Sequence, residues 1–404
     1  MTAVGAARIA SAAQARAVAA ELAAEFAVGA ADRDRERALP FAEVRELAAT
    51  GLLAVTVPAD LGGADLPPSE VAEVVRLLAV ADPNIAQIPH SHFVYVNLLK
   101  LAGSAGQRRR YLGGVLDGAQ IANAQSERGG ATVADIATTV RPLAGGQRFR
   151  VDGVKYYCTG SLFADFLAVL TELDDPEGAA GLPGGQYIAF LPADAPGVRI
   201  VDDWNGFGQR TTGSGTVSFE NVVVERDQLV ARTAAVDRPT AYGASAQLLH
   251  AAIDTGIARG ALTAAAGFAR EKSRPWFEAQ VSRAIDDPLL VQRFGELAVA
   301  VAAAEAGLAA AGAAVDAALG APQQVAEASL AVATAKILAD RAATEVSSAL
   351  FEVSGTRSAA DDLNLHHFWR NARTHTLHDP VRWKYQHLGR TLLHGSLPPL
   401  HGVI

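Results

Sequence analysis

The residues best suited to chemistry crowd into one stretch, Arg370-Asn-Ala-Arg373-Thr-His375-Thr-Leu-His378-Asp379-Pro380. Two imidazoles three residues apart share a helical face, and a carboxylate follows directly. Groups that titrate near neutral pH at this spacing can hold a proton or ligate a metal. The metal is the weaker use. Asp379 is the only carboxylate nearby, and none of the ten histidines has a glutamate three residues before it, as di-iron bundle sites require. No metal is therefore expected. Ser91-His92-Phe93 and Tyr157-Cys158-Thr159-Gly160-Ser161 add another imidazole and several hydroxyls. Missing are a Gly-x-Gly-x-x-Gly turn, a Walker-type Gly-Lys and a Gly-x-Ser-x-Gly elbow, so neither nicotinamide nor nucleotide phosphates nor a serine nucleophile is built in.

Three segments must position these residues. From Ser11 to about Gly118 the apolar residues recur at helical spacing, broken by the Gly- and Pro-rich stretch Pro58 to Pro68. Alternating strands then read at Phe149–Tyr157 around an Asp152-Gly153 hairpin turn, and at Phe166–Thr171, Tyr187–Leu191 and Thr216–Val224. Beyond Asp237 lie long Ala-rich helical runs at 242–273, 288–319 and 323–353, then helices near 363–377 and 380–393. The expected architecture is α+β, with an N-terminal helical domain over 1–119, a central antiparallel β domain over 120–236 and a C-terminal four-helix bundle over 237–404. A net charge of -8 argues against nucleic acid and anionic membrane as partners. No apolar run spans a bilayer at the N-terminus and no signal peptide is readable, while the lone Cys158 excludes a disulfide framework; a cytoplasmic location is expected.

In this order the segments resemble the acyl-CoA dehydrogenase superfamily over nearly the whole chain. Asn123-Ala-Gln-Ser126-Glu127-Arg-Gly resembles the entry to its β domain, and Gly153-Val-Lys-Tyr-Tyr157-Cys158-Thr159-Gly160-Ser161 the strand against its flavin ring. Trp204-Asn-Gly-Phe-Gly-Gln-Arg-Thr-Thr-Gly-Ser-Gly-Thr resembles its Gly-x-Arg-Gly-Ser stretch. Phe268-Ala-Arg-Glu-Lys-Ser-Arg274 resembles the segment whose arginine reaches a flavin phosphate across a subunit boundary. The dehydrogenases place a catalytic glutamate nine residues after the arginine of the C-terminal block. Here that register holds Asp379, shorter by one methylene and followed by helix-breaking Pro380. The block Phe368-Trp369-Arg370 to Pro380 is instead similar to the FMN-dependent monooxygenases of the dibenzothiophene and sulfur-acquisition type.

This resemblance implies a two-component monooxygenase in which a separate NAD(P)H-dependent reductase supplies FMNH2 and a flavin C4a-hydroperoxide oxygenates a hydrophobic small molecule at sulfur, nitrogen or an aromatic carbon. It implies catalytic roles for His92, Ser161 and His378, and flavin contacts from Asn123, Ser126, Tyr157, Thr159, Trp204, Arg274, Arg370 and His375. FMN is favoured over FAD because Val353-Ser354-Gly355-Thr356 stands where FAD-binding relatives carry a Gly-Gly turn. The long alanine-rich rods suggest a homotetramer. Two alternatives stay open on sequence: an FAD-dependent acyl-CoA dehydrogenase using Asp379 as base, and a non-catalytic flavin-binding protein.

Overall fold

The computed structural model describes residues 6–404, and the chain runs helices, then sheet, then helices. The first segment holds α1 (Ala12–Ala27), α2 (Ala30–Glu36), α3 (Phe41–Ala49), α4 (Pro68–Ala81), α5 (Pro83–Gln87), α6 (His90–Ala102) and the short α7 (Ala105–Gln107) and α8 (Gly113–Leu116). Local chemistry sets the starts: the Ser11 hydroxyl accepts from the Gln14 amide at 3.2 Å, and Asp82 caps α5 ahead of Pro83. α1 then buries Ala15, Ala19, Leu22 and Phe26, one stripe at three- and four-residue steps.

Eight strands follow: β1 (Ile121–Ala124), β2 (Thr139–Pro142), β3 (Arg148–Lys155), β4 (Phe166–Leu173), β5 (Gln186–Pro192), β6 (Val198–Val201), β7 (Thr216–Glu225) and β8 (Leu229–Ala231), before the short α9 (Thr233–Val236). Their order is β6-β7-β3-β2-β4-β5-β8, with β1 also on β4. The sheet is not wholly antiparallel. β1 and β2 follow one another along the same edge of β4, Ile121 opposite Phe166 and Thr139 opposite Glu172, so both run parallel to it. Residues 125–138 leave the sheet between them, and this excursion carries Ser126 toward the site. β4 is buried on both faces: Leu167 and Val169 pack within the sheet's own core, while Ala168 and Leu170 pack with Tyr95 and Leu99 of α6.

The hairpin expected at Asp152-Gly153 does not form. β3 continues through it as one strand against β7, with a bulge between Val151 and Gly153. Gly153 sits at φ 156°, where a Cβ would meet Thr138 Oγ1 at 2.3 Å, and the Asp152 carboxylate accepts from the Asn221 amide at 2.8 Å. The Asp-Gly pair is used to bend a strand, not to reverse it.

The last segment comprises α10 (Tyr242–Glu271), α11 (Pro288–Ala318), α12 (Val325–Ser354), α13 (His367–His375) and α14 (Val381–His394). A four-helix packing unit exists, but its fourth long member is α4 from the N-terminal segment, which packs on both α10 and α11. Gly256 and Gly260 allow the approach: a Cβ at either would lie 2.6 Å or less from a backbone oxygen of α4, Arg76 O and Val80 O respectively. One core therefore runs from α1 and α4 through α10, α11 and α12. α11 is long and apolar enough to cross a membrane, yet it packs against α4, α10 and α12 and leaves Leu289, Val291 and Val299 exposed.

Candidate active site

A cavity of ≈ 220 Å³ opens where α5, α6 and α10 meet the sheet and the turn after α13. Gln87, His90 and Val94 line it from the first helices, Asn123, Ser126, Tyr157 and Thr159 from the β domain, and His250, His378 and Asp379 from the last segment. Four of the expected cofactor contacts, Asn123, Ser126, Tyr157 and Thr159, thus line one cavity with the expected catalytic His378.

The cavity is equipped for a flat, heteroatom-edged ring. Asn123 Oδ1 and Gln87 Oε1 are buried with no hydrogen-bond partner, two acceptors held ready for a ligand. Tyr157 presents a half-exposed ring from a left-handed backbone, φ 58°, a conformation that costs a bulky residue about 1–3 kcal/mol and is typical of functional positions. Thr159 Oγ1 is tied to Ser214 Oγ at 2.8 Å, itself 2.6 Å from Thr212 Oγ1, so the hydroxyl row along this wall is fixed in place.

Three imidazoles form the opposite wall. His378 Nδ1–H donates to the His375 carbonyl at 2.9 Å, which leaves Nε2 to accept from the Gln87 amide nitrogen at 2.8 Å. His375 lies behind it, fully buried, with Nδ1 2.7 Å from Asp254 and Nε2 3.1 Å from His250 Nδ1. Burial lowers the pKa of His375 and of His378 to about 3, and that of His250 well below the ordinary value. His90 stacks on His250 with ring centroids 4.0 Å apart. The ring nitrogens of His250, His375 and His378 lie within 4.8 Å of one another. Their hydrogen bonds to one another, to Gln87 and to Asp254 account for this closeness.

Other expected residues fall elsewhere. His92 is wholly buried away from the cavity, its Nε2–H donating to the Leu53 carbonyl at 2.8 Å and its Nδ1 accepting from the Ile121 amide at 3.1 Å. It pins α6 to β1; two residues away, on the other side of the helix, His90 takes the cavity position. Ser161 is buried near the Gly213 carbonyl and does not line the cavity. Arg370 is bound to Asp34, and also to the Phe207 carbonyl at 2.7 Å and to Asn364 at 3.0 Å, so its charge is already neutralised. Trp204 lines a separate depression of ≈ 820 Å³ with Arg35, Arg37 and Arg210, and meets Tyr157 edge-on at 6.1 Å. Arg274 is exposed after the end of α10, outside the cavity of its own chain.

Sequence reasoning missed His90, His250, Asp254 and Gln87. A signal existed for two of them: His250 and Asp254 stand four apart as polar interruptions of an alanine-rich helix, hence on one buried face. Asp379, at the register of a dehydrogenase base, is buried 2.7 Å from Lys384 Nζ.

The fold and this site define a flavin-enzyme architecture with three successive parts, and the comparisons agree. Family models for the acyl-CoA dehydrogenase N-terminal, middle and C-terminal domains match residues 10–119, 122–222 and 248–383, and the chain belongs to the acyl-CoA dehydrogenase family. Within it the chain is similar to a dibenzothiophene monooxygenase of Mycolicibacterium goodii, 33% identical over 94% of both chains. It is also similar to a probable FMNH2-dependent monooxygenase, SfnC, of Pseudomonas putida, 32% identical over 95% of both. Among solved structures, FMN-bound TdsC of Paenibacillus sp. A11-2 superposes with a TM-score of 0.91 at 33% identity, covering 97% of this chain and 100% of that one.

Proposed function

We propose that the chain is the oxygenase of a two-component system: it takes FMNH2 from a separate NAD(P)H-dependent reductase and uses dioxygen to oxygenate a hydrophobic small molecule, with sulfur the favoured atom. The observation that carries this is the replacement of a free carboxylate base by a histidine wall. Asp379 is held by Lys384, while His378, His250 and His90 face the same cavity. That is a poor site for removing an α-proton from a thioester and a good one for holding protic, water-sensitive reactants.

Bound reduced flavin would supply the electrons that activate oxygen. Asn123 and Gln87 offer free acceptors to its polar edge, and Tyr157 with Thr159 forms the wall against which a ring lies. His378, oriented by the His375 carbonyl and Gln87, holds its Nε2 as an acceptor beside the reacting centre. His92 and Ser161 support the site from behind, as the anchor of α6 to β1 and as a buried hydroxyl beside the 212–214 turn. The flavin phosphate is assigned to Arg274 of a neighbouring subunit, since Arg370 is already paired. That assignment needs an oligomer, for which we propose a homotetramer. Leu289, Val291 and Val299 of α11, Trp276, Phe277, Leu392 and Leu393 are all exposed, an apolar surface that copies of the chain would cover. A cytoplasmic location fits the supply of reduced flavin by a reductase.

The test is anaerobic mixing of protein with FMNH2, then oxygen and dibenzothiophene or a smaller thioether, with sulfoxide measured by mass spectrometry. Sulfoxide formation supports the reading. Bleaching of oxidised flavin by an acyl-CoA, without oxygenated product, would replace it with the dehydrogenase.

A further inference from the structure

Behind the histidine wall lies a buried ionic cluster that the site chemistry above does not use. Asp254 of α10 has no exposed surface. One of its oxygens lies 2.7 Å from His375 Nδ1 and the other 3.0 Å from Lys336 Nζ, and Lys336 also bonds Asp340. Asp340 lines a second cavity of ≈ 500 Å³ together with Arg341 and Arg373, and Asp379 lines both cavities.

Burial raises the carboxyls of both Asp254 and Asp340, Asp340 to about 8, but both oxygens of Asp254 face N–H groups whereas Asp340 Oδ2 is buried with no partner, so the proton belongs on Asp340. Burial pushes Lys336 down, but the neighbouring carboxylates, Asp254 first among them, hold it charged. Asp254 is therefore the anion of the cluster and can only accept. An acceptor at His375 Nδ1 fixes the proton there and leaves a lone pair on Nε2. His250 Nδ1, 3.1 Å away, must then be the donor of that contact, which strips the proton from its remaining nitrogen. A carboxylate two contacts from the cavity thus determines whether the His250 side of the wall accepts or donates.

We propose that Asp254 is a positioning residue: through His375 it holds His250 in the tautomer whose Nε2 is an unprotonated acceptor for the protic reactants in the cavity. No electron moves in this step. His250 Nε2 accepts a hydrogen bond from the protic reactant, and the Nδ1–H of His250 and of His375 stay in place.

Asp254→Asn makes a sharp test because Lys336 can only donate. The amide oxygen turns to Lys336, the amide NH2 faces His375 Nδ1, and both tautomers reverse. Neutron diffraction from deuterium-exchanged crystals of the flavin-free protein is expected to show deuterium on Nδ1 of His375 and His250 in the wild type, and on Nε2 of both in the variant. The ratio of oxygenated product to oxygen consumed is expected to fall at least tenfold. Adding Lys336→Met frees the amide to present its oxygen to His375, so the double variant regains the wild-type tautomers and most of the coupling, whereas a merely structural loss would deepen.

Deuterium on His250 Nε2 in the wild type, unchanged tautomers in Asp254→Asn, or a double variant no better than the single one would each overturn the inference. If Asp254→Asn does not fold, the wild-type map decides alone. The coupling arm rests on the oxygenase reading; a wild type that yields no oxygenated product defeats that reading and leaves the tautomers to be judged by diffraction.

Discussion

Arg370 separates a structural from a cofactor role most cleanly. Its guanidinium binds both oxygens of Asp34, the Phe207 carbonyl, Asn364 Oδ1 and His366 Nδ1. Asp34 is 1% exposed, so Arg370→Met strands a buried carboxylate. Breaking a buried pair from one side costs about 3–5 kcal/mol. The Asn364 amide still donates to Asp34 at 3.0 Å in the variant, which places the expected loss near the lower end, about 3 kcal/mol, or roughly a hundredfold in the folding equilibrium. Urea unfolding of flavin-free protein at fixed concentration measures it as a lower midpoint with unchanged slope. The ratio of FMN to riboflavin affinity stays as in the wild type, and Asp34→Asn added to Arg370→Met recovers part of the stability. An unchanged midpoint together with a selective loss of FMN affinity would refute this reasoning and return Arg370 to the flavin phosphate.

Four further outcomes are expected. His378→Phe folds and binds FMN but releases hydrogen peroxide in place of oxygenated product, a coupling loss of about tenfold or more read by peroxide assay. Arg274→Ala weakens FMN more than riboflavin, measured by fluorescence titration, because only FMN carries the phosphate. Light scattering at micromolar concentration gives a tetramer; a monomer would also remove Arg274 from any flavin. Acid destabilises the fold early: burial lowers His92 and His367 to about 4 and His375 to about 3 from an ordinary 6.5, and His250 well below it. Groups with depressed pKa add stability fully present above 6.5 and lost as pH falls toward their folded values. Each contributes up to about 1.4 kcal/mol per pH unit, so thermal melts should drop steeply from pH 6 to 4.

The long-range order of the chain was legible because helical and alternating patterns survive over thirty-residue windows, as in α10, α11 and α12. The site was legible where a motif carried its own register: Asn123, Ser126, Tyr157, Thr159 and His378 meet in one cavity. It was not legible where the facing of a helix decides. His90 and His92 are indistinguishable by composition, and only the packing of α6 on β1 turns one inward and the other to the cavity. Arg370 looked free because its partner Asp34 is 336 residues away. The Asp152-Gly153 pair has strong hairpin chemistry locally, and β7, more than sixty residues later, overrides it.

The placement of α4 among the C-terminal helices has a consequence for how the protein is made. The apolar face of α4 cannot be fully covered until α10 and α11 exist, and α11 ends roughly 240 residues after α4 does. At a translation speed of roughly 5–20 residues per second, α4 leaves the ribosome about 12–48 s before its partners are complete. During that interval its apolar stripe is an exposed, sticky surface. Nascent chains truncated before residue 288 are therefore expected to bind holdase chaperones, while full-length chains released from the ribosome are not.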